Sequence, residues 1–176
     1  MTSSSTPGLT RFNAAEDDTA RAALHEICAS AAWGEAILAR RPYRDAGELL
    51  AASDTAVALL SPDDLAEAMA AHPPIGRPRP GDPVSAREQR GMTGASDRLK
   101  AEMLELGLAY QEKFGHVFLI CATGLTAEQM RDSARNRIDN SPEREREIVR
   151  GELGRINRVR LARLAVRPET EGAPRP

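Results

Sequence analysis

Five of the twelve prolines lie between Pro73 and Val84. A proline inside a helix removes a hydrogen bond and clashes with the preceding turn, at a cost of about 3 kcal/mol. No helix therefore runs through this stretch, while the pattern on both sides of it is helical. Asp17 or Asp18 can cap a helix carrying Ala20, Leu24, Ile27 and Cys28 on one side. Trp33, Ala36 and Ile37 begin a second, which stops before Pro42. Asp45 can cap a third, with Leu49, Leu50, Val57 and Leu60 inward. Ser61-Pro62-Asp63 reads as a cap, a first-turn proline and an acid, leading a helix with Leu65, Ala68 and Met69.

Beyond the prolines the helical pattern resumes at Ser85 and pauses near Gly91 to Gly94. It then runs from Ser96 to Lys113 with Leu99, Met103, Leu106 and Tyr110. Thr126 starts a helix with Met130 and Ala134, and Ser141-Pro142-Glu143 starts the last, to about Val166. Residues 116–122 (His-Val-Phe-Leu-Ile-Cys-Ala) form a short apolar run bounded by Gly115 and Gly124, which suits a lone strand or a buried extended segment. The expected fold is all-α: a single-domain helical bundle over residues 9–166 with one short extended buried segment. Residues 1–8 read as a disordered lead and 167–176 as a disordered tail.

Composition narrows the function. The 24 basic residues nearly cancel the 26 acidic ones, which argues against a general polyanion binder. Aromatics are 3%, too few for a stacking platform, so no nucleic-acid partner is expected. The C-terminal arginines are interleaved with Glu143, Glu145, Glu147 and Glu152, the pattern of a solvated, salt-bridged face. Two cysteines, Cys28 and Cys121, make no disulfide framework. Three histidines and two cysteines do not form the paired-ligand pattern of a structural zinc site. Met1 to Leu9 has no apolar core of the signal-peptide kind, and nothing approaches the roughly 20 apolar residues of a membrane span. A cytoplasmic location follows as the expectation, with no cofactor implied by any Gly-rich or phosphate-binding motif.

Three features stand out from the helical background. Val149, Leu153, Ile156, position 160 and Leu164 step by four, three, four and four, and position 160 is Arg160. A guanidinium on an apolar stripe is either paired, snorkelling at the stripe's edge, or facing a polar cleft. His72 follows Leu65 and Met69 on one face, just before Pro73. It is either a dipole-favoured helix end or an acid/base group at a pocket mouth. Ser85 and Glu88 have the spacing of a capping box, which explains them without function, although a helix N-terminus also offers free N–H groups to an anion.

Taken in order, His72-Pro73-Pro74-Ile75-Gly76, Ser85-Ala86-Arg87-Glu88-Gln89 with Gly91-Met92, Tyr110 through Ala122, and a last helix ending Ile156-x-x-x-Arg160-Leu161 resemble the 2-oxo-4-hydroxy-4-carboxy-5-ureidoimidazoline (OHCU) decarboxylases of urate degradation. The resemblance spans roughly residues 9–166. It implies an all-α homodimer and a cofactor-free lyase that converts OHCU to (S)-allantoin and CO2. It carries the catalytic roles onto His72, Glu88 and Arg160. Substrate contact falls on Pro73, on Ser85, Ala86, Arg87 and Gln89, and on Phe118, Leu119, Ile120, Cys121 and Ala122. His116 departs from the family pattern, standing where an aromatic is common. Two other readings stay open at this point: the same fold acting on a related ureido or hydantoin acid, and a non-catalytic helical interaction module.

Overall fold

Short polar side chains set most of the helix starts. In the computed structural model, which describes residues 5–168, Asp45 accepts from Glu48 N at 2.8 Å and Ser96 from Leu99 N at 3.2 Å. Thr126 and Gln129 form a reciprocal capping box. Ser61 and Asp64 exchange the same kind of bonds. The resulting elements are α1 (Pro7–Ala14), α2 (Asp17–Ile27), α3 (Ala31–Leu38), α4 (Ala46–Ala58), α5 (Pro62–Ala70), α6 (Pro83–Glu88), a 3-10 turn (Arg90–Met92), α7 (Asp97–Phe114), α8 (Ala127–Arg137) and α9 (Pro142–Val166). No strand occurs among the described residues, and the all-α expectation holds. None of these helices is long and apolar enough to cross a membrane.

The sequence expectations need two corrections. Helix α1 starts at Pro7, inside the lead expected to be disordered, and Gly8 is buried. A Cβ on Gly8 would lie 1.9 Å from Leu164 O of α9, so only glycine permits this approach. The rest of that expectation, residues 1–4, and the tail from 169 on lie outside the described residues. Second, Glu16 rather than Asp17 or Asp18 precedes α2, and both aspartates sit in its first turn. The described residues group into two compact units, residues 5–68 with 154–168 and residues 69–153.

In the first unit, α3 packs against both α2 and α4. Trp33 is fully buried and donates through Nε1 to Ser53 Oγ at 3.1 Å, which satisfies both polar groups. Arg41 donates to Phe12 O at 2.6 Å and Ala15 O at 2.8 Å, closing the end of α1.

The second unit buries Leu99, Met103 and Tyr110 of α7 against Met130 and Ala134 of α8, with Met92, Phe118, Ile120 and Ala122. Gly91 is needed here, because a Cβ would stand 2.0 Å from Leu125 O. Helix α7 ends at Gly115, whose φ of 79° is the left-handed cap that glycine supplies without strain. Residues 117–122 then run without turn or bend, buried except for half-exposed Val117 and Cys121. This is the expected extended segment. It threads the core of this unit with no neighbouring strand among the described residues.

Candidate active site

His72 follows the end of α5, its N–H donating to Met69 O at 3.0 Å, and both His72 and Pro73 are half-buried. The Pro-Pro exit is folded back by one side chain. Gln89 is buried and uses both ends of its amide: Oε1 accepts from Gly76 N at 2.9 Å, and Nε2 donates to Pro74 O at 3.1 Å. The His72–Gly76 turn is thereby fixed against the end of α6. Gly76 has φ 83°, which suits the tight turn.

The capping-box reading of Ser85 and Glu88 fails. Helix α6 begins at Pro83, and Asp82 is its cap, accepting from Val84 N at 2.9 Å. Pro83 supplies the fixed φ of a first helical residue, a stronger start signal than the Ser-x-x-Glu spacing. Ser85 is one turn further in and buried, accepting from Arg79 N at 3.0 Å and donating to Asp82 O at 3.3 Å. Glu88, half-buried, stands at the C-terminal end of α6, so the expected helix N-terminus for an anion does not lie here. Ala86 and Arg87 are exposed.

The extended segment is held by charged side chains. Cys121 N donates to Glu152 Oε2 at 2.8 Å. Leu119 O accepts from Arg137 Nη1 at 2.8 Å. The Arg137 guanidinium lies 4.5 Å from the Phe118 ring centroid and is paired with Glu145, Nη2 to Oε1 at 2.5 Å. The peptide N–H and C=O of Ile120 take no hydrogen bond among the described residues. A small cavity of about 80 Å³ is lined by Pro74 and Ile75 from one stretch and by Val117 and Phe118 from the other, with Met103 and Leu108. It brings two of the stretches singled out in the sequence onto one surface.

Glu145 corrects the solvated-face reading of the last helix. It is fully buried, accepting from Tyr110 Oη at 2.6 Å, Arg137 Nε at 2.8 Å and Asn140 Nδ2 at 2.9 Å. Burial pushes its carboxyl up, but the Arg137, Asn140 and Tyr110 hydrogen bonds outweigh this and hold it below the usual carboxylate range. Burial and Glu145 together push the Tyr110 hydroxyl well above the ordinary tyrosine range. The signal was available in the sequence: Glu145 is four residues before Val149, on the same stripe that made Arg160 conspicuous. Glu143 and Glu147 are exposed as expected.

Arg160 belongs to the first unit. The buried stripe of α9 runs through Ile156, Asn157, Leu161 and Ala165 there, so Arg160 flanks it and is half-buried. Its Nη1 donates to Ile27 O at 2.7 Å, the last residue of α2, where a cation meets the negative end of the helix dipole. A larger cavity of about 430 Å³ in this unit, lined by Asp18, Arg21, His25, Cys28, Ser30 and Glu35 among others, contains none of the candidate residues. Cys28 is buried as expected, and burial pushes its thiol up. No group of three or more potential metal ligands occurs among the described residues.

Comparison with known proteins identifies the family. A family model described as OHCU decarboxylase matches residues 13–162. The chain is 30% identical over 145 residues to the uric acid degradation bifunctional protein TTL of Arabidopsis thaliana, covering 78% of this chain and 44% of that protein. It thus spans less than half the length of that relative. A crystal structure of OHCU decarboxylase in the presence of (S)-allantoin superposes with a TM-score of 0.73 at 25% identity, covering 87% of this chain and 100% of the other. A crystal structure of (S)-allantoin synthase superposes with a TM-score of 0.68 at 20% identity, covering 89% of this chain and 53% of the other, a likeness of fold.

Proposed function

The chain belongs to the OHCU decarboxylase family, and on that premise we propose that it decarboxylates OHCU to (S)-allantoin and CO2, the last step from urate to allantoin. The observation that carries this reading is that the family match, residues 13–162, contains all three candidate catalytic residues in order. The chemistry suits these residues. OHCU carries its carboxylate on a carbon next to a C=N bond, which accepts the electron pair as CO2 leaves. The substrate therefore brings its own electron sink, and the protein's tasks are placement and proton transfer.

His72 is the acid/base group that acts on the hydroxyl or ring nitrogen as the C–C bond breaks. Its backbone anchor to Met69 and the Gln89-braced exit behind it support that role, because an acid/base group needs a fixed position. Glu88 holds the substrate's polar edge or orients the imidazole. Arg160 binds the substrate's anionic or carbonyl face by charge-assisted hydrogen bonds. The peptide groups of residues 118–122 hold the ring and ureido arms. The enzyme works as a homodimer, as the family resemblance implies, and in the cytoplasm, the location expected from the sequence.

The test generates OHCU in situ from urate with urate oxidase and hydroxyisourate hydrolase, adds this protein, and follows circular dichroism of the product. The expected result is fast formation of one allantoin enantiomer. Racemic product at the spontaneous rate overturns the reading. Sedimentation at micromolar concentration tests the dimer.

A further inference from the structure

We propose that Glu152 is a positioning residue: its carboxylate, by accepting the Cys121 peptide N–H, holds residues 118–122 in the register in which they meet the substrate. This inference rests on the reading given above and extends it to a residue of α9 that the family resemblance did not single out.

The segment needs such a holder. An extended stretch normally takes its place from a neighbouring strand, whose ladder fixes every second peptide group. Residues 117–122 have no such neighbour among the described residues. Two carboxylates of α9 fix it instead. Glu152 takes Cys121 N directly at 2.8 Å, and Glu145 holds Arg137, whose Nη1 takes Leu119 O at 2.8 Å. Positions 145 and 152 are seven residues apart, two helical turns, so both lie on one face of α9. Hydrogen bonds to ionised groups are shorter and roughly twice as strong as neutral ones. Such bonds can hold a segment that lacks a ladder.

The consequence falls on Ile120. In a straight segment the peptide groups of residues 119 and 121 point to one side and those of residue 120 to the other. With 119 and 121 tied to α8 and α9, the N–H and C=O of Ile120 are left together on the opposite side. Ile120 is 8% exposed, and neither group has a hydrogen-bond partner among the described residues. Buried peptide groups are almost always satisfied. A donor and an acceptor side by side complement the paired N–H and C=O of an amide, a ureido arm or a cyclic imide. Glu152 thereby aims Ile120 without touching the substrate.

The experiment compares wild type, Glu152→Ala and Glu152→Gln for steady-state kinetics on in-situ OHCU, thermal unfolding, and hydrogen exchange of the Cys121 amide. A misplacement of about 1 Å can cost on the order of 100-fold in rate. Glu152→Ala is therefore expected to lose at least about tenfold in kcat/KM, with faster exchange at Cys121. Glutamine keeps an acceptor oxygen, so Glu152→Gln should return to within about threefold of wild type. A purely structural role would lower the unfolding temperature of both variants and leave their kinetics equal to wild type. An active wild type with an equally active Glu152→Ala overturns the inference alone, as does unchanged exchange at Cys121. An inactive wild type overturns the functional reading and this inference with it.

Discussion

Removing the Glu145 carboxylate tests how the second unit is held together. Glu145 is fully buried and receives Tyr110 Oη, Arg137 Nε and Asn140 Nδ2 within 2.9 Å. Glu145→Ala strands the Arg137 guanidinium, itself buried, without its counter-ion. Breaking a buried pair by removing one partner costs about 3–5 kcal/mol, because an uncompensated charge stays behind. Against a typical total of about 5–15 kcal/mol, that is a large fraction of the stability. Replacing both partners by apolar groups of similar volume is often neutral. The double variant Glu145→Leu with Arg137→Met should therefore recover most of the loss. Urea unfolding followed by far-ultraviolet circular dichroism measures Glu145→Ala together with the cycle of wild type, Glu145→Leu, Arg137→Met and the double variant. A loss below about 1 kcal/mol for Glu145→Ala, or a double variant as unstable as the two single losses summed, would refute the account of this pair.

Other expectations follow from the same geometry. Because the Glu145 carboxyl is held below its usual range, its contribution to stability is complete above about pH 4.3, the ordinary glutamate value. It is lost as pH falls through the lower folded value, so the urea midpoint should drop below pH 4, and should drop less in the double variant. Both tyrosines are pushed up, Tyr43 to about 12 by burial. Absorbance at 295 nm should therefore stay flat near pH 10 in the native protein and rise there in 8 M urea, with stability lost as pH climbs from about 10 toward the folded values. Asp82→Ala should cost about 1 kcal/mol as the loss of an N-cap, and a silent result would remove Asp82 as the start of α6. His72→Ala should reduce kcat by about 10²–10⁴ with native helix content. Arg160→Ala should mainly raise KM, with a stability loss from the freed Ile27 carbonyl; an unmoved KM ends its substrate role.

Local chemistry made much of the fold legible in the sequence. The caps at Asp45, Ser96, Thr126 and Ser141 act through hydrogen bonds within three residues of themselves, so their positions can be read directly. The stop between Pro73 and Asp82, the glycine end of α7 at Gly115 and the extended run after it are equally local. The ordered motifs identified the family for the same reason: they are stretches of contiguous residues.

Tertiary structure decided what depends on partners far along the chain. Ser85 and Glu88 have the spacing of a cap, yet Asp82 and Pro83 start the helix, and Ser85 serves Arg79 instead. Glu145 sits in a run of charges that reads as surface, and only its meeting with Tyr110, 35 residues away, and with Arg137 shows it to be core. Arg160 looks like an intruder on an apolar stripe, but the buried line runs through Asn157 and Leu161 beside it, and Arg160 reaches Ile27, 133 residues away. A sequence specifies hydrogen bonds that close over one turn of backbone. Which charged side chains are buried, and whose carbonyl or peptide N–H they satisfy, is set only when distant elements pack and exclude water.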